Sequence, residues 1–260
     1  MTTSQFLLTA WSWNPLLLAA GAASLAAYGV LFRGCARLGY FIAAWGAILL
    51  ALVSPLHALA DGYLFSAHMA QHILLLLIAP ALALLALPTA VSAGRRLRVL
   101  THPLAGWLAG VGAMWLWHAP SLCNAVAVSR PLFALQSISL LALGGVFWWQ
   151  VLAPRAEQRL TPLAAIVYLF TACVACSVLG IIITFSPVRV CSIFMHPVDR
   201  LGMMQTIRQS WGLTPERDQQ IGGLLMWVPM CAIYAAAILT QFARWHATPA
   251  PIPALLPKTP

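Results

Sequence analysis

Charge is what this sequence has least of. Of its 260 residues, 14 are Lys or Arg and five are Asp or Glu, so only 7% are charged. No soluble domain keeps itself in water on so little. Instead 62% of the residues are hydrophobic, and continuous apolar runs recur from end to end. The +9 balance is spread over short loops, where basic residues set membrane orientation, and it is no nucleic-acid signal. The N-terminus lacks Lys and Arg up to Arg33, so the basic n-region of a cleavable signal peptide is missing. The only lysine is Lys258, near the C-terminus, which excludes a retinal Schiff base within a span. There is no P-loop, no Gly-rich dinucleotide turn and no Gly-x-Ser-x-Gly elbow. Six scattered cysteines do not make a disulfide framework. Cys123 and Cys191 do fall on one predicted side, where an oxidising compartment lets them pair.

What is present reads as an all-α, polytopic bundle of seven transmembrane helices. The runs are Pro15–Phe32, Leu38–Ser54, Ala67–Leu87, Pro103–Trp117, Leu132–Leu152, Pro162–Phe185 and Pro215–Ala243, each bounded by Pro, Gly or charge. Tryptophans near the run ends suit interfacial anchoring. Loops after the first, third and fifth runs hold Arg33, Arg37, Arg95, Arg96, Arg98, Arg155 and Arg159, and the C-terminal end adds Arg244 and Lys258. The other side carries Arg130, Arg189, Arg200, Arg208 and Arg217. The excess predicts an outer N-terminus and a cytoplasmic C-terminus, in a multi-pass protein of the inner membrane. The chain divides into a seven-helix domain over 1–247 and a Pro-rich cytoplasmic tail over 248–260, read as disordered.

That orientation collects His57, His68, His72, His118 and His196 on the outer side, together with Asp218. The stretch Ser66-Ala-His-Met-Ala-Gln-His72 opens the third run. On a helix, residues four apart share a face, so His68 and His72 stack one turn apart and can grip one ion. Met69 sits three before His72, and a thioether tilts the choice toward Cu(I). Interfacial histidines that bond only to loops or water are the plainer reading. Thr214-Pro215 starts the seventh run as an N-cap and first helical residue. Asp218, Gln219 and Gln220 then enter a span together, a costly arrangement that signals function by default. A carboxylate closing a two-His site makes a three-ligand set.

Cys173-Val-Ala-Cys176 lies near the middle of the sixth run. The two thiols share a helix face, as a Cu(I) transit point, as a copper-reducing pair, or as small residues in helix packing. The long loop from Ser186 to Thr214 holds Cys191, Met195, His196, Met203 and Met204, which read either as soft-ion capture or as adaptable apolar filler.

Several of these stretches carry a resemblance. Ser66-Ala-His-Met-Ala-Gln-His72 with Ala79-Pro80, Trp117-His-Ala-Pro120, Phe147-Trp-Trp149, Leu179-Gly180 with Thr184-Phe-Ser-Pro187, and Asp218-Gln-Gln220 with Gly223 and Met226-Trp-Val-Pro229 resemble the CtaG family. Its members are seven-span assembly factors of caa-type cytochrome c oxidase, and the likeness runs over about residues 10–245. The resemblance implies a non-enzymatic protein that binds copper at the outer side and supplies it to a haem-copper oxidase. Its partners would be oxidase subunits and a periplasmic copper donor. The family's polar positions fall here on His68, Met69, His72, His118 and Asp218. Ser137 stands where many members carry a histidine, so a site needing that group is altered or completed by a neighbour such as Gln136. Two other functions fit the residues: a membrane haem electron carrier with His68 and His118 as axial ligands, and a transporter for copper or another solute.

Overall fold

The computed structural model describes residues 1–32, 37–94 and 102–247. Arg33, Arg95, Arg96, Arg98, Lys258 and the tail over 248–260 lie outside the described residues. Among those described, all regular structure is helical. The chain runs α1 (Thr3–Thr9), α2 (Pro15–Leu31), α3 (Leu38–Leu52), α4 (Pro55–Ala60), α5 (Phe65–Ile73), a π-helical segment (Leu74–Ile78) and α6 (Ala79–Ala86). It continues through α7 (Pro103–Trp117), α8 (Pro120–Val128), α9 (Arg130–Leu152), α10 (Pro162–Phe185) and α11 (Pro215–Ala247). Each of the seven apolar runs is therefore helical. Four continuous helices are long and apolar enough to cross a membrane: Phe65–Ala86, Arg130–Leu152, Pro162–Phe185 and Pro215–Ala247. Pro15–Leu31 and Leu38–Leu52 are shorter apolar helices. The protein is a multi-pass membrane protein. Large apolar side chains such as Leu16, Ile138, Phe170 and Leu239 stand exposed around its perimeter, where lipid rather than water is the solvent.

One device starts four of these helices. A polar residue caps the first amides and proline follows: Asn14-Pro15, Ser54-Pro55, His102-Pro103 and Thr161-Pro162. Proline has no amide to leave unsatisfied there, and its ring presets the helical φ. The Thr214 hydroxyl likewise accepts from the Arg217 amide at the start of α11.

α5 breaks the pattern. Its N-cap position is Leu64, which has no side chain able to accept a hydrogen bond. The acceptor comes from another helix. Asp218 of α11 takes the Phe65 amide at 2.6 Å, the Ser66 amide at 3.1 Å and the Ser66 hydroxyl at 2.5 Å. The opening amides of a helix carry its positive end, so a carboxylate is well placed there. Beside it, Gln219 donates to the Ile183, Ser186 and Val188 carbonyls and accepts from the Val190 amide, closing the end of α10. α11 can approach α5 this closely because residue 222 is glycine: a Cβ there would press into the Phe65 ring.

The helix Phe65–Ala86 is the most enclosed of the four long ones, with 61% of its apolar stretch buried against 28–39% in the others. Its middle widens into the π segment just before Pro80. Proline cannot donate to the carbonyl four residues back, and its ring crowds that carbonyl. Here the carbonyl belongs to Leu76, and Gly144 of α9 packs directly against it; a Cβ at 144 would collide with the oxygen. At the far end, the Tyr28 hydroxyl donates to the Ala86 carbonyl at 2.7 Å and holds α6 against α2.

A second small core gathers Phe6, Ala60, Tyr63, Leu64, Met203 and Ile207. It fixes α1 and the loop between α10 and α11 over the start of α5. Asp199 pins that loop, accepting from the Met203 and Met204 amides and from the Tyr63 hydroxyl. A disulfide between Cys123 and Cys191 ties α8 to the same loop. Met203 is thus a core residue, fully buried, and Met195 is half-buried.

Candidate metal centre

The first two turns of α5 carry His68, Met69 and His72 on its buried side; the three are 4%, 0% and 1% exposed. Helical spacing brings the two imidazoles together, with His72 Nε2 3.2 Å from His68 Nε2. His118 reaches them from the C-terminal end of α7, its ring centroid 4.9 Å from that of His72. Four donor side chains therefore meet in the buried interior. They form two pairs, His68 with His72 and Met69 with His118. Among the described residues, no three His, Cys, Asp or Glu groups converge on one ion position. An ion held here would sit on one of these pairs or be shared between them.

The protons on His118 follow from its partners. Nδ1 lies 2.5 Å from the Met114 carbonyl oxygen, which can only accept, so Nδ1 carries the ring proton. In the neutral ring Nε2 is then left with a bare lone pair, and it sits 3.0 Å from Met69 Sδ. A thioether has no hydrogen to offer. Two lone pairs thus face each other in a dry site, an arrangement that favours a cation at that spot. Nδ1 bound to a backbone carbonyl and Nε2 aimed at an ion is also how metal-bound histidines are commonly oriented. His72 Nδ1 is a further buried atom with no hydrogen-bond partner. Imidazole and thioether donors without a carboxylate suit a soft monovalent ion. It does not suit haem: rings packed 4.6–4.9 Å apart leave no room for a macrocycle.

Asp218 is engaged at the start of α5. His72 lies six residues, or about 9 Å of helix rise, beyond Ser66. Ser137 does not replace a histidine; its hydroxyl turns back to the Phe133 carbonyl of its own helix. Its neighbour Gln136 is buried beside His72.

Gln71 and His57 lead from the cluster toward the surface. Gln71, adjacent to His72 in the chain, donates to the Ala51 carbonyl at 2.6 Å and meets His57 Nδ1 at 3.2 Å. Burial pushes the His57 imidazole below its ordinary value, against the opposing pull of Asp61, so it is neutral at pH 7. His57 and Ser137 in turn line an open cleft of about 990 Å³ whose other polar walls include Asp61, Arg130, His196 and Arg200. The cleft stops one residue short of the histidine cluster: none of His68, His72 and His118 lines it. Gln71 and Gln136, adjacent in the chain to His72 and Ser137, stand between the two.

The cysteines of the sixth run separate. Cys176 points into the core toward the Tyr234 hydroxyl, while Cys173 meets Cys231 of α11.

No curated protein and no solved structure matches this chain. Residues 15–248 match the Caa3_CtaG family, described as cytochrome c oxidase caa3 assembly factor. That span holds every candidate donor. The chain belongs to the family of caa3 cytochrome c oxidase assembly factors.

Proposed function

We propose that the protein is a non-enzymatic copper carrier of the inner membrane, which holds Cu(I) between His68, His72, His118 and Met69 and yields it to a haem-copper oxidase. Copper here is cargo rather than a resident cofactor. The observation that carries this reading is the contact between His118 Nε2 and Met69 Sδ, two acceptors facing each other at 3.0 Å with no proton to share. Family membership supplies the destination, the caa3 oxidase. The cleft beside His57 and Ser137 supplies the approach for a copper donor. Asp218 serves this site indirectly, by fixing the first turn of the helix that presents three of the four donors.

In this reading the seven apolar helices all span the bilayer, with the N-terminus and the cleft on the periplasmic side. The loop arginines support that orientation. A phosphatase reporter fused after Ala247 should be silent; activity there would reverse the assignment.

The functional test is His68→Ala with His72→Ala. The double variant should still insert and remain folded, because it leaves the capping of α5 by Asp218 and the contact of its start with α11 intact. Copper bound per purified protein should fall by at least tenfold, and oxidase activity in cells should fall with it. Added copper should restore part of that activity, since slow unassisted metallation can bypass a carrier. Stoichiometric haem with a strong Soret band, and no copper, would mean an electron carrier. Normal oxidase activity in the double variant would mean that these histidines are structural. Copper flux through vesicles, unaffected by loss of the oxidase, would mean a transporter.

A further inference from the structure

α10 and α11 lie against each other along most of their length. They come closest at Gly180 and Gly223, where a Cβ on Gly180 would sit 3.0 Å from the Gly223 carbonyl oxygen. Farther along this seam, at the middle of both helices, Cys173 Sγ lies 3.3 Å from Cys231 Sγ. Ser177, one turn beyond Cys173, donates to the Cys173 carbonyl at 2.7 Å and places its oxygen 3.1 Å from Cys231 Sγ. The protons form a short relay: Cys173 S–H to Cys231 sulfur, Cys231 S–H to Ser177 oxygen, Ser177 O–H to backbone. Both thiols are partly exposed, on a perimeter that also presents Phe170, Val174 and Val228. On α11, Cys231 is nine residues past Gly222, which touches Met69, or about 13 Å along the helix. The thiols are thus separate from the histidine cluster, and nothing in the proposed function uses them.

The geometry points to a second soft-metal site, a two-coordinate Cu(I) dithiolate formed by Cys173 and Cys231 at the lipid-facing edge of the bundle. Binding balances as Cu⁺ plus two thiols giving one bis(thiolate) anion and two protons. Thiolates select Cu(I), and two of them satisfy it; Zn²⁺ takes four protein ligands in a closed site, and only two are here. Metal–thiolate bonds of about 2.3 Å require the sulfurs to separate by roughly 1 Å, which rotation of the two side chains provides. The Ser177 hydroxyl can then turn from the backbone to the Cys231 thiolate and stabilise it with a charge-assisted hydrogen bond. A site at this edge serves a membrane-embedded partner lying alongside the seam, rather than a donor in the cleft.

The test uses purified full-length protein in detergent, kept anaerobic, with Cu(I) supplied against bicinchoninate as competitor. Cys173→Ser and Cys231→Ser should each lose one equivalent of tightly held Cu(I), since neither thiol suffices alone. In wild-type protein, Cu(I) should shield Cys173 and Cys231 from maleimide, read peptide by peptide in a mass spectrometer. That readout needs no variant to fold. In His68→Ala/His72→Ala protein, X-ray absorption should retain a copper shell made of sulfur alone. Unchanged stoichiometry in both serine variants, or thiols that stay reactive at saturating Cu(I), overturns the proposal. So does finding the two joined as a disulfide in protein as isolated. If the histidine variant binds as much Cu(I) as wild type and only the serine variants lose it, the histidine reading fails and this site stands. The reverse pattern leaves the histidine reading and removes this one.

Discussion

Asp218→Ala protein should accumulate poorly and unfold in detergent about 10 °C below wild type, while Asp218→Asn falls between the two. The alanine removes the acceptor of two buried backbone amides and one buried hydroxyl at the start of α5. Leaving a buried donor unsatisfied costs about 1–3 kcal/mol, and a chain of this size loses about 2–4 °C of Tm per kcal/mol. No residue on α5 can substitute, because Leu64 occupies the cap position. Asparagine keeps one oxygen for the amides but turns a donor toward the others. Tryptophan fluorescence during thermal unfolding measures the change. If Asp218→Ala left Tm unchanged while copper binding collapsed, Asp218 would be a metal ligand and its capping role incidental.

Met69→Leu should do the opposite. Leucine has nearly the shape of methionine, so the packing against Gly222 and the stability should change little. The thioether is gone, and Cu(I) affinity should fall by roughly 10- to 100-fold, the range seen even when groups that only orient a metal's ligands are lost. The unliganded protein has a further reason to tolerate the change: leucine relieves the contact of two lone pairs between Met69 and His118. Affinity comes from competition with bicinchoninate, and stability from the same thermal unfolding. Unchanged affinity in Met69→Leu would remove the thioether from the donor set, and with it the argument for a soft ion. The two substitutions together separate what positions the donors from what binds.

The helices were legible because proline and polar caps punctuate the apolar runs. Pro15, Pro103, Pro162 and Pro215 each mark a true helix start. α1, α4 and α8 escaped because they are short and sit beside long runs, although Thr2 with Gln5 forms a capping box and Ser54-Pro55 repeats the pattern of the long helices. The pair His68 and His72 was legible from spacing alone. That Met69 would face His118 was not, since residues on different helices meet only through packing. Asp218 was singled out for the right reason, a carboxylate entering an apolar helix, but pattern alone cannot distinguish a ligand from a cap supplied to another helix. The cysteines show the same limit. The spacing of Cys173 and Cys176 drew attention, whereas the thiol in contact with Cys173 is Cys231, 58 residues away.

The π segment gives the helix Phe65–Ala86 a phase as well as a length. A π turn holds about one residue more than an α turn, so the donor end and the end held by Tyr28 are offset by about 100° of rotation from an unbroken α-helix. Removing any one of the four consecutive leucines 74–77 would leave composition and hydropathy almost untouched and would let the helix run straight. It would still leave His68, Met69 and His72 facing His118, because a straight helix one residue shorter reaches the same phase as the widened one; straightening the segment at its present length would turn them away by about 100°. The aim of the donors is therefore stored in the pairing of one extra residue with one wide turn, not in which apolar residues fill it, and an inventory of the polar positions alone would not reveal it.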